Sequence, residues 1–176
     1  VSSTGVPVAG VDINAFRVSN GNEEKNLAND GTNATGDFIT TIPAGVYDLQ
    51  FIPPAPPTTS HVTLVLRNVV VAGTINLGTL TLPAGWVISG HVQTQDALPI
   101  PQVNIQVIDQ VTGNDVPLAV RKTSAFGNFA VAVPRNAVEL RLDATGLLTP
   151  VVASQLITLT PTADTNLGNI TLAPGF

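Results

Sequence analysis

The stretch Asn76-Leu77-Gly78-Thr79-Leu80-Thr81-Leu82-Pro83-Ala84-Gly85-Trp86 constrains this chain more than any other. It returns 90 residues later as Asn166-Leu167-Gly168-Asn169-Ile170-Thr171-Leu172-Ala173-Pro174-Gly175-Phe176, with six of the eleven positions identical. Two more positions swap like for like, Leu80 with Ile170 and Trp86 with Phe176. A recurrence of this quality marks two copies of one unit. The expected division is residues 1–85 and residues 86–176. A unit of that size can bury one modest core without disulfide or metal staples.

Other segments recur in step with the first. Val11, Ile13 and Ala15 alternate with Asp12 and Asn14, and Val103, Ile105 and Val107 do the same against Asn104 and Gln106. Such period-two alternation predicts half-buried strands. Residues 36–49 match residues 127–140 as two strands around a Pro-centred turn, with Ala44-Gly45 or Arg135-Asn136 at the bend. After the bend Tyr47, Leu49 and Phe51 point inward in one copy, and Val138, Leu140 and Leu142 in the other. Residues 19–36 read as a long loop or irregular edge, and residues 117–122 as a short strand. Pro53-Pro54-Ala55-Pro56-Pro57 predicts a polyproline II excursion. Further strands are expected at 62–66, running on to 71, and at 151–159. Each copy closes with the recurring stretch, Leu77, Leu80 and Leu82 facing inward. No segment sustains a 3.6-residue period, so the class is all-β, with two tandem sandwiches.

Composition narrows the function. Only 11% of residues are charged while 44% are hydrophobic, so Thr, Asn, Ser and Gln must cover the surface, as suits an exported or assembled protein. The net charge is −5 with no basic stripe, which argues against nucleic acid as a partner. There is no Cys, hence no disulfide and no thiolate metal site. No apolar run approaches the roughly 18 residues that a membrane span needs. The chain starts at Val1 and has no Met, so it reads as a processed or excised piece.

The second copy carries Gly90-His91-Val92, then Pro99-Ile100-Pro101-Gln102-Val103-Asn104-Ile105, then Thr123 to Phe129, spaced Thr-x-x-x-Gly-x-Phe. The first carries Pro43-Ala44-Gly45-Val46-Tyr47-Asp48-Leu49, where the second has Asn136 and Val138 in place of Gly and Tyr. These residues resemble the carboxypeptidase regulatory-like domain, a transthyretin-like, Ig-like β-sandwich. The resemblance covers nearly the whole chain. It implies an accessory module of secreted and surface proteins, and export more than any activity. The hydroxyisourate hydrolases of that fold end in Tyr-Arg-Gly-Ser, whereas this chain ends Ala173-Pro174-Gly175-Phe176.

The family's first strand corresponds to Trp86-Val87-Ile88-Ser89-Gly90-His91-Val92. Its counterpart in the first copy would precede Val1, which aligns with Gln93. The first sandwich is therefore expected to lack its own first strand and to expose an edge that invites strand addition. The missing strand comes either from an upstream repeat or from another subunit. The three-residue connection Pro83-Ala84-Gly85 predicts a stiff junction.

Candidate chemistry is sparse. His61 and His91 have no ligand-spaced neighbours and read as surface or edge residues. No Gly-x-Ser-x-Gly elbow occurs, and no catalytic residue or cofactor is expected. Asp30, Asn33 and Asp37 offer oxygens to a Ca²⁺ ion but lack the EF-hand spacing, so a solvated turn is the simpler reading. Asn33 and Asn169 begin Asn-x-Thr sequons, and Asn33, in a loop, is the better glycosylation candidate. Lys25 and Lys122 lie in expected loops or edges, which disfavours an isopeptide crosslink. Trp86 and Phe176 share one repeat position and are expected to pack at a domain junction. The resulting expectation is a non-enzymatic segment of an extracellular stalk, adhesin or filament, whose partners are copies of itself or adjacent repeats. The alternative is a carbohydrate- or protein-binding accessory module of a secreted enzyme, set against the lack of clustered aromatics.

Overall fold

The computed structural model describes every residue except Gly146, Leu148, Thr149 and Phe176, and every described side chain except that of Asn20. Its regular elements are strands and one short 3-10 turn. They fall into two units, Val1–Pro54 with His61–Ala84, and Ala55–Ser60 with Gly85–Phe176.

The first unit has one antiparallel sheet. Its strands are β1 (Asp12–Arg17), β2 (Glu23–Lys25), β3 (Gly45–Ile52) and β4 (Leu64–Val71), in the order β2-β1-β3-β4. The 3-10 turn, Val18–Asn20, joins β1 to β2. Part of the expected irregular loop at 19–36 is thus an edge strand. Alternation puts Ile13 and Ala15 of β1 beside Tyr47, Leu49 and Phe51 of β3 in one core. Tyr47 is fully buried, and its hydroxyl donates to the Pro43 carbonyl at 2.8 Å, so burial leaves no phenol unpaired.

The second unit has two sheets. Strands β5 (Gly85–Gln93), β7 (Asn128–Pro134) and β10 (Thr165–Thr171) form one, in the order β10-β5-β7. Strands β6 (Asn104–Asp109), β8 (Val138–Asp143) and β9 (Gln155–Leu159) form the other, in the order β6-β8-β9. Central β5 runs antiparallel to β7 and parallel to β10. Ile88 and Val92 of β5, Val131 and Val133 of β7, Ile105 and Val107 of β6, and Leu140 and Leu142 of β8 are each 2% exposed or less. Full burial of such side chains stabilises by roughly 1.5–3 kcal/mol each.

Two local devices explain why particular residues recur. In the repeated Asn-Leu-Gly, the Asn side chain accepts the Gly N–H at 2.8 Å, both in Asn76–Gly78 and in Asn166–Gly168. Both glycines sit at φ 66, a left-handed conformation that costs glycine least, and in β10 the register against β5 shifts there. The second device is a threonine bridge. Thr123 is 1% exposed, donates to the Ile100 carbonyl at 2.8 Å and accepts the Val103 N–H at 3.0 Å. Thr32 does the same with the Val8 carbonyl (2.8 Å) and the Val11 N–H (2.9 Å).

Four expectations change. Residues 36–42 and 76–82 form no strand in the first unit, although their counterparts β7 and β10 do in the second. The physical reason is a missing neighbour, since β7 and β10 pair only with β5. Residues 117–122 are likewise not a strand, and only Lys122 makes an isolated bridge, to Asn104. The proline run contains a cis Pro56–Pro57 bond and a turn in which the Thr58 N–H donates to the Ala55 carbonyl, so it is not an unbroken polyproline II helix.

Candidate strand-acceptor cleft

Residues 38–42 of the first unit keep the alternation of a strand without being one. Phe38, Thr40 and Ile42 are half-buried, while Ile39 and Thr41 are exposed, Ile39 to 85%. The Thr40 hydroxyl donates to the Ala28 carbonyl at 2.7 Å, and the Phe38 ring tilts against Phe51 at 5.5 Å between centroids. Between this wall and residues 73–78 lies a cleft of about 650 Å³, floored by Ile13, Ala15, Leu49 and Val71. A smaller cavity of about 120 Å³, lined by Phe38, Phe51, Leu80 and Val1, shares Gly36, Phe38 and Gly78 with it. Among the described residues, neither 38–42 nor 75–79 makes a backbone–backbone hydrogen bond. Apart from the Gly78 N–H, which donates to the Asn76 side chain, the two segments thus border an apolar floor without main-chain partners, the condition under which a further strand can add.

The second unit shows what such a space holds. Its Leu172 N–H donates to the Gln93 carbonyl at 3.0 Å, and in the first unit the Leu82 N–H donates to the Val1 carbonyl at 2.9 Å. The turn that follows also repeats. Thr94 bonds Leu98 at 2.8 Å and Ala97 bonds Thr94 at 3.1 Å, as Ser2 bonds Val6 at 2.7 Å and Gly5 bonds Ser2 at 3.0 Å. Val1 therefore occupies the place of Gln93, the last residue of β5. The cleft of the first unit corresponds to the place of the rest of β5 in the second. Residues 38–42 correspond to residues 129–133 of β7, which pair with Trp86 to Gly90.

The sequence candidates fall elsewhere. The Asn33 side-chain oxygen accepts the backbone N–H groups of Thr35 (3.0 Å) and Asp37 (2.9 Å), and the Thr35 hydroxyl lies 2.7 Å from the Asp37 carboxylate. This is an Asx-capped turn, and Ser124 caps its counterpart by accepting the Asn128 N–H at 3.1 Å. Asp30 uses its carbonyl to accept the Ile13 N–H at 2.6 Å. Burial, and then the charge of Asp30, raise the pKa of Asp12. Among the described residues no three His, Cys, Asp or Glu side chains cluster as a metal site would require. Asn33 and Asn169 are both exposed.

His61 forms a bridge with Ala84, and His91 Nδ1 lies 3.0 Å from Asn128 Oδ1. Lys25 pairs with Glu23 at 2.7 Å. The Trp86 ring lies half-buried in the second unit beneath the Arg135 guanidinium, 4.2 Å from its centroid, a cation–π contact. Phe176 lies outside the described residues. Phe38, Thr40, Ile42 and Leu77, which wall the cleft, read in the sequence only as ordinary strand residues. Their signal is that the strand they should pair with has a counterpart in one copy and none in the other.

No known protein family matches the chain, and no curated protein does. Several solved structures resemble it over nearly its whole length. The Bacillus anthracis TIE protein is 14% identical over 99% of this chain, at a TM-score of 0.40, and the chain spans 32% of its length. A streptococcal ancillary pilin is 12% identical over 99% of this chain, at 0.39, and the chain spans 60% of it. The shaft pilin SpaA of Lactobacillus rhamnosus GG is 9% identical over 96% of this chain, at 0.40, and is covered to 89%. Likenesses this loose fix neither the fold nor the function of the chain.

Proposed function

We propose that the chain is a non-enzymatic structural segment of an extracellular stalk, adhesin or filament, and that its first unit is completed by a β-strand supplied from outside residues 1–176. In this reading both units are carboxypeptidase regulatory-like sandwiches in tandem, the first short of its first strand. The observation that carries it is the cleft walled by residues 38–42 and 73–78, which make no backbone–backbone hydrogen bond among the described residues and correspond to the segments that flank β5 in the other unit. Support comes also from the charge-poor surface composition. Among the described residues no helix is long and apolar enough to cross a membrane. Strand addition joins subunits through main-chain hydrogen bonds while side-chain pockets set which strand enters. Electron microscopy of native material tests the reading: the expected result is end-to-end assemblies, and dispersed monomers at high concentration would count against it.

A further inference from the structure

Resting on that reading, we propose that the cleft selects one chemistry in the strand that completes the first unit: bulky apolar, any residue, apolar, any residue, glycine, cation, apolar. The strand enters antiparallel to residues 37–43 and parallel to residues 75–80. The pattern follows from β5, whose Trp86, Ile88, Gly90 and Val92 lie at alternate positions, with Ile88 and Val92 buried.

The register is read from the second unit. There Ile88 pairs with Val131 on one side and Thr165 on the other, Gly90 with Phe129, His91 with Asn128 and Asn169, and Val92 with Ile170. Carried to the first unit, the incoming apolar residue lies beside Thr40 and Ile75, the glycine beside Phe38, the cation beside Asp37 and Thr79, and the last apolar residue beside Leu80. The glycine is dictated by the aromatic ring. A Cβ added to Gly90 would stand 2.9 Å from the Phe129 ring, and Phe38 is the residue that corresponds to Phe129 in the first unit. The cation is dictated by charge. Asn128, which faces His91 in the second unit, is replaced by Asp37, the one charged side chain lining either cavity. A His⁺, Lys or Arg at that point gains a charge-assisted hydrogen bond where an acid is repelled. Direction is fixed because one wall needs an antiparallel and the other a parallel neighbour. The chain's own β5 is not available to fill the cleft, being hydrogen-bonded on both edges within its own sheet.

The test is calorimetric titration of the 176-residue chain with a synthetic peptide of the sequence of residues 85–92, with amide exchange read at residues 38–42 and 75–79. Expected are one peptide bound per chain and slowed exchange on both walls. The peptide carrying Gly90→Val should lose binding. That carrying His91→Asp should bind about tenfold more weakly, a gap that Asp37→Asn in the chain narrows. A variant with residues 85–92 repeated ahead of Val1 should fold with both walls protected and no longer take peptide. Equal binding by the Gly90→Val peptide, or binding without protection at 38–42, would overturn the strand rule. So would walls already protected by a second copy before peptide is added. Assemblies seen by microscopy whose growth the peptide leaves untouched would overturn this inference alone and leave the assembly reading standing.

Discussion

Truncating the same aromatic in each unit measures whether the first core is open. Phe129 is 6% exposed inside a two-sheet core, and removing a buried Phe side chain to Ala costs about 3–5 kcal/mol. Phe38, its counterpart, is half-buried, with Phe51 on one side and the cleft on the other. About half of that loss, ~1.5–2.5 kcal/mol, is expected for Phe38→Ala, because the ring already forgoes contacts on its open side. The chain supplies its own probes: its one Trp, Trp86, lies in the second unit and its one Tyr, Tyr47, in the first. Thermal unfolding followed by Trp fluorescence should fall by about 12 °C or more in Phe129→Ala, at roughly 4 °C per kcal/mol for a unit of this size. Tyr fluorescence should show about half that drop in Phe38→Ala. In the variant with residues 85–92 repeated ahead of Val1, Phe38→Ala should become as costly as Phe129→Ala. Equal costs in the unmodified chain would refute the argument, because they would mean that Phe38 already sits in a closed core.

Thr123→Val should destabilise the second unit by about 1–3 kcal/mol, because it strands the Val103 N–H, and chemical denaturation monitored at Trp86 reads the loss. Gly168→Ala forces a side chain onto a φ of 66 and should cost about 1–2 kcal/mol in the same assay. Asp143 has a lowered pKa, first through the Thr145 hydroxyl and then through the Thr145 N–H. Its ionised form is favoured by folding, so the stability it gives is present above the ordinary carboxylate pKa and lost as pH falls through the lowered one. Asp143→Asn should flatten that acid slope in pH-dependent melting. Asp12 shifts upward, so its contribution is lost as pH rises through its folded pKa, and Asp12→Asn should raise the Tyr47-monitored midpoint at pH 7.

Much of the sheet architecture was legible because side-chain alternation is a one-dimensional signal. Ile13, Ala15, Tyr47, Leu49 and Phe51 announce their buried face by spacing alone. The repeated Asn-Leu-Gly and the Thr-x-x-x-Gly-x-Phe spacing survive in both copies because each supports a specific hydrogen bond, at Gly78 and Gly168 and at Thr32 and Thr123. Pairing was less legible. Residues 36–42 carry a strand's pattern, yet a strand exists only with a partner, and the partner is non-local. Residues 117–122 fall short for another reason: they meet the edge of β6 near their end, where the Ile105 N–H donates to the Arg121 carbonyl at 2.7 Å and Lys122 bridges Asn104, too few contacts for a ladder. The oxygen-rich loop at 29–37 looked like a ligand shell, but the Asn33 side chain is spent on capping the loop's own backbone, as the bond from the Asp37 N–H to Asn33 shows.

The unlike neighbours of β5, one running with it and one against it, have a consequence for growth. A socket built from such walls admits an incoming segment in one orientation only, so each joint would be heterologous, with a donor face and a receiver face that never exchange roles. A chain of these joints would carry two distinguishable tips and would lengthen as an arrow does, with every link pointing the same way.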